Sequence, residues 1–128
     1  WVLDYARSDS SSYTPKSATY AVTQQGDSMI VDRETPGTGR TITVYLLNGH
    51  ARKNTLRLVG TATEATSLTT WRHDSLIVNT SSMPAVKTLV QRDNCTLDTD
   101  GPRLRIHREA RYDGRAMESP TLVFTRTA

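Results

Sequence analysis

The chain has 128 residues and carries thirteen Arg and three Lys against thirteen acids, a formal charge of +3. That length fits a single domain, residues 1–128, able to bury roughly two-thirds of its unfolded surface without staples. No apolar run approaches the ~20 residues that cross a bilayer as a helix. Twenty Thr and eleven Ser with only three Lys exclude the Ala, Leu, Glu and Lys pattern of a helical bundle and favour strands, where β-branched Thr sits well.

Trp1 to Tyr5 reads as a first strand, and the polar run Ser8–Thr14 before Pro15 as a loop. Ser17–Gln24 alternates Ala18, Tyr20 and Val22 with Thr19, Ala21 and Thr23, the period of a half-buried strand. Gln25-Gly26-Asp27 turns the chain back into Ser28–Glu34, and Pro36, Gly37 and Gly39 break it. Arg40–Leu47 alternates Ile42, Val44 and Leu46 with Thr41, Thr43 and Tyr45, and ends at Asn48-Gly49, a strong hairpin dipeptide. His50–Gly60 is less regular and reads as an edge or rim strand. Thr66–Trp71 and Ser75–Thr80 form a hairpin about Arg72-His73-Asp74. Pro84 opens a run through Val86, Thr88 and Val90 toward Leu97. Asp100-Gly101-Pro102 turns into Arg103–Ala110, Asp113-Gly114 marks another turn, and Ser119–Thr127 is the last strand.

Between eight and ten strands at about ten-residue spacing, joined by successive turns, predict an all-β antiparallel up-and-down meander. Such a meander hides its edges by closing into a barrel or curling into a partly open one. A Greek-key sandwich is the structural alternative.

Opening with Trp1-Val2-Leu3-Asp4 and Arg7-Ser8, passing through Trp71–Val78 and Asp100-Gly101 before Leu104 and Ile106, and closing on Leu122-Val123-Phe124-Thr125-Arg126, the chain resembles small bacterial lipocalin-like (calycin-like) domains of mostly unknown function. Arg72-His73-Asp74 stands where those domains more often carry Asp-Gly-Asp, which implies a longer or differently shaped turn. The resemblance implies an exported β-barrel and no agreed activity. A start at Trp1, without an initiator Met, fits a removed export signal or an anchor segment upstream.

Candidate sites follow from alternation. On the strand from Arg103, residues Leu104, Ile106 and Arg108 share one face; Arg103, Arg105 and His107 share the other. If the Leu104 face points inward, Arg108 could hold a ligand carboxylate by a bidentate contact with Arg126 beside it, and Leu104, Ile106, Leu122 and Phe124 would form the wall. The competing reading makes Arg108 a barrel-end residue bonded to backbone or an acid. Arg103, Arg105 and His107 form a basic stripe suited to an acidic protein partner or lipid headgroups, or simply a solvated face. Three His without a nucleophile motif and one Cys, Cys95, predict no catalytic, metal or cofactor site. Residues 86–128 hold eight basic and six acidic side chains, so nucleic acid is not expected as a partner. Few aromatics argue against a wide ligand chamber.

The expectation is a non-catalytic, extracytoplasmic, periplasmic interaction module: an accessory or structural subunit bound to other protein subunits of a bacterial membrane-associated complex, itself held to the membrane only through a segment before Trp1. The alternative is a carrier of a small apolar or amphipathic ligand. An enzyme ranks third, requiring a convergent polar pocket.

Overall fold

The computed structural model of the chain describes residues 1–10, 14–37, 39–58, 61–83, 87–98 and 103–126. Among them lie eleven strands and no helix: β1 (Val2–Leu3), β2 (Thr19–Gln25), β3 (Ser28–Thr35), β4 (Gly39–Leu46), β5 (Arg52–Leu58), β6 (Thr61–Arg72), β7 (Ser75–Ser82), β8 (Leu89–Leu97), β9 (Arg103–Tyr112), β10 (Arg115–Ala116) and β11 (Thr121–Thr125). All pairings are antiparallel, in the order β4-β3-β2-β1-β11-β9-β8-β7-β6-β5, with β10 on the end of β9. The sheet curls into a nearly closed up-and-down barrel with one unsealed seam, between β4 and β5.

Turn chemistry accounts for the hairpins. Asp113 and Gly114 both take positive φ, 53° and 78°, the backbone that matches a two-residue turn to the right-handed twist of its strands. His73-Asp74 is likewise a two-residue turn, since Arg72 pairs with Ser75. The turn is therefore as short as a hairpin allows, and His73 carries the left-handed φ of 55° that Gly would adopt more easily. Asp100-Gly101-Pro102 and the run from Pro84 to Val86 lie outside the described residues.

Two expected features differ. Asn48-Gly49 reverses the chain but does not join paired strands, because β4 and β5 stand at opposite ends of the pairing order. Leu47 N–H instead donates to the Asp27 carbonyl at 2.7 Å, tying this turn to the β2–β3 turn. Across the seam the Asn54 side-chain amide replaces a ladder partner: Oδ1 accepts from Val44 N–H (3.0 Å) and Nδ2 donates to the Val44 carbonyl (2.8 Å).

The first strand stops at Leu3. Asp4 accepts from the Arg7 amide and guanidinium at 3.2 and 2.6 Å, which turns the chain. The segment then covers the stretch of β11 that the short β1 leaves unpaired: Asp4 N–H donates to Val123 O, Val123 N–H to Ser8 Oγ, and Thr121 N–H to Asp9 Oδ2. The covering explains why Val123 is 1% exposed. The barrel interior has two apolar clusters, Leu3, Ala18, Ile106, Leu122 and Phe124 on one side and Val31, Tyr45, Leu76 and Val78 on the other, with Tyr20 and Cys95 touching both.

Candidate functional site: a lumen with a charged floor

Register brings the inward rows together. Leu76 pairs with Cys95 and Cys95 with Ile106; one row deeper Val78 pairs with Asp93 and Asp93 with Arg108. On the facing wall Tyr20 pairs with Arg33 and Val22 with Val31. These rows enclose a cavity of about 250 Å³ lined mostly by apolar side chains, among them Met29, Val31, Leu76, Val78, Leu104 and Ile106. Its mouth carries Val22, Trp71 and Leu97, exposed by 43%, 63% and 64%. Trp1, Tyr20, Tyr45 and Trp71 line it, four of the eight aromatics of the chain. The aromatic residues are few but gathered, so the chamber is narrow and still aromatic-walled.

Arg33 and Asp93 line its deep end, and Arg108 stands behind Asp93. Arg108 Nε and Nη2 donate to the two carboxylate oxygens of Asp93 at 2.9 and 3.0 Å, a bidentate pair. Burial works against the Arg108 charge, but the Asp93 carboxylate more than offsets it, and the Tyr20 phenol adds to the hold, so the guanidinium is raised above its ordinary range. Arg33 has different partners. Its Nη1 donates to Thr43 Oγ1 (2.7 Å) and its Nη2 to the Tyr45 hydroxyl (2.6 Å), and its guanidinium lies 5.1 and 5.6 Å from the centroids of the Tyr20 and Tyr45 rings. A guanidinium in a protein does not lose its proton, so two fixed cations face one carboxylate here.

Small hydroxyl residues fill the barrel around and beyond this layer: Thr43 beneath Arg33, Thr69 paired with Val78, and Ser67 and Ser82 in the rows that follow, all at most 7% exposed. Ser67 and Thr80 share a hydrogen bond of 2.9 Å. Cys95, in the cavity wall, has its thiol pushed up to about 12, chiefly by burial and further by the Asp93 charge. A thiol in that state is inert packing.

The residues singled out from sequence separate. Leu104, Ile106 and Arg108 do share the inward face of β9, and Leu104 and Ile106 line the cavity. Phe124 sits behind the wall, 1% exposed, its ring centroid 4.5 Å from that of Tyr20. Arg126 is not beside Arg108. It follows Thr125, the partner of Arg103, whereas Arg108 follows His107, the partner of Thr121, so the two stand just beyond opposite ends of the β9–β11 ladder, about 20 Å apart at ~3.3 Å per residue. Arg126 instead borders an open depression with Trp1, Val2 and Thr19.

Arg103, Arg105 and His107 lie on the outer face. Arg105 forms a bidentate pair with Asp98 (2.8 and 3.2 Å), and His107 meets Thr121 Oγ1 at 3.0 Å and Glu109 at 3.5 Å. The stripe is thereby largely met by its own neighbours. Arg33, Asp93, Tyr20 and Tyr45 were missed by the sequence reading. The alternation Met29, Val31, Arg33 was the available signal, since it places a cation on the apolar face of β3. Among the described residues no group of three or more His, Cys, Asp or Glu gathers as metal ligands, and no helix is long and apolar enough to cross a membrane. No family model matches the chain, and none of the curated proteins matches it.

Proposed function

We infer that the protein is a non-catalytic binding barrel that takes a small amphipathic molecule into its lumen, in the manner of an exported, periplasmic lipocalin-like carrier of bacterial type. The cavity carries this reading: about 250 Å³ of mostly apolar wall, open at an aromatic mouth and ending in a few convergent polar groups, the usual composition of a small-ligand site. Both tryptophans of the chain border it, so an occupant should move the intrinsic fluorescence. Titration with 1-octanol is expected to give a saturable emission shift that disappears in Cys95→Phe, whose ring fills the cavity. No saturable shift up to the solubility limit, or the same shift in Cys95→Phe, would overturn the reading.

A second reading, an accessory subunit docked to other proteins of a membrane-associated complex, is favoured by Trp71 and Leu97 standing exposed at the mouth. The stripe Arg103, Arg105 and His107 supports it less, because Arg105 is already paired with Asp98 and His107 stands beside Glu109. Purification from native membranes separates the two: a stoichiometric protein partner lost in Trp71→Ser favours the subunit, and a monomer releasing a small molecule favours the carrier.

A further inference from the structure

The charge of the lumen floor does not balance. Asp93 gives both carboxylate oxygens to Arg108, while among the described residues the donors of Arg33 reach two neutral oxygens, Thr43 Oγ1 and the Tyr45 hydroxyl, and no carboxylate. Gln91 approaches Asp93 at 3.4 Å and brings no charge. The other charged side chain bordering the cavity, Asp74, stands in the exposed β6–β7 turn at the mouth, where water screens it. An inward cation with no counter-charge is costly to hold in an apolar enclosure. A guanidinium has five N–H donors in a planar fork, and the bonds to Thr43 and Tyr45 engage two of them, which leaves donors for an occupant of the cavity.

Resting on the lumen-binding reading above, we propose that the occupant is an anionic amphiphile, a single-chain monocarboxylate whose head sits on Arg33 and whose chain runs past Val31, Leu76 and Leu104 to the mouth. Arg33 is the anchor because Arg108 is already neutralised by Asp93. The Tyr20 and Tyr45 rings flank the Arg33 guanidinium and hold its plane while excluding water from the contact. The volume sets the length. At ~30 Å³ for each water-sized group, 250 Å³ takes about eight, so a chain of about eight carbons, head included, fills the lumen with its end at Trp71 and Leu97.

The test compares octanoate, 1-octanol and octylammonium at neutral pH on the whole chain, by tryptophan emission and calorimetry. A charge-assisted hydrogen-bonded head should bind octanoate about tenfold to a hundredfold more tightly than octanol, and octylammonium more weakly than octanol. In Arg33→Met the octanoate preference should vanish while octanol still binds. If octanol binds and octanoate is no tighter, or if Arg33→Met keeps the preference, the lumen-binding reading stands and the anionic head is refuted. If none of the three binds, the lumen reading itself fails and takes the proposal with it. Should Arg33→Met not fold, the wild-type order decides: octylammonium equal to or above octanoate overturns the proposal, and the order octanoate, octanol, octylammonium upholds it.

Discussion

Removing the Asp93 carboxylate should be among the most damaging single changes in the barrel. Asp93 is 7% exposed, and the Arg108 side chain it holds is 25% exposed. Asp93→Ala leaves Arg108 and Arg33 as two inward cations with no anion between them. Breaking a buried pair from one side costs roughly 3–5 kcal/mol. A quarter of the Arg108 surface still meets solvent, which places the loss at the lower end, about 3 kcal/mol. For a domain of this size that corresponds to a fall in Tm of about 12 °C, at ~4 °C per kcal/mol. Urea denaturation of the wild type, Asp93→Ala, Arg108→Met and the double variant measures it as a cycle. The double variant should recover much of the loss, because an apolar replacement removes the orphaned charge along with the pair. A loss below about 1 kcal/mol in Asp93→Ala, or a double variant no better than the single, would refute the view that uncompensated charge dominates this layer.

Phe124→Ala, emptying a site that is 1% exposed beneath Tyr20, should cost about 3–5 kcal/mol by chemical denaturation; a loss near 1 kcal/mol would mean that the wall collapses into the gap. Asn54→Ala removes both seam bonds to Val44 and should speed hydrogen exchange of the Val44 amide selectively, at a global cost of about 1–3 kcal/mol; an unchanged exchange rate would show that the seam is held by other contacts. For Cys95, a thiol pushed from 9.0 to about 12 has roughly a thousandfold less thiolate at pH 8 than an ordinary one, so iodoacetamide should barely label the folded protein. The sign of the accompanying pH effect follows from linkage: the folded state holds this proton more tightly, so its contribution is complete below pH 9 and is lost as the pH rises toward 12. A stability that is flat over that window in wild type and Cys95→Ala alike would contradict it.

Most of the strand pattern was legible because alternation and turn chemistry are local. Ser28 to Glu34 and the inward face of β9 could be read residue by residue. Asn48-Gly49 shows the limit of that logic: a turn dipeptide reports that the chain reverses, whereas the partner of a strand depends on how the sheet curls. The lumen floor was hidden for a related reason. Asp93 meets Arg108 only through the β8–β9 register, and register depends on the connection between two strands rather than on either strand's composition. Arg33 was overlooked because a cation near a strand end ordinarily reads as solvated; its neighbours in space, Tyr20 and Tyr45, come from two other strands.

The position of the seam bears on how the chain assembles. Nearly every ladder joins strands adjacent or almost adjacent in the chain, but Val2 pairs with Thr125 across almost the whole polypeptide, and that contact closes a very long loop of chain entropy. The discontinuity falls instead between sequence neighbours, β4 and β5. Linking the end of β11 to β1 by a short connection and opening the backbone at Asn48-Gly49 would turn the barrel into a linear meander in which each strand pairs with its immediate predecessor, save β11, which pairs with β9 across the short β10. Such a permutant should keep the lumen and, with its long-range closure made local, fold faster than the parent.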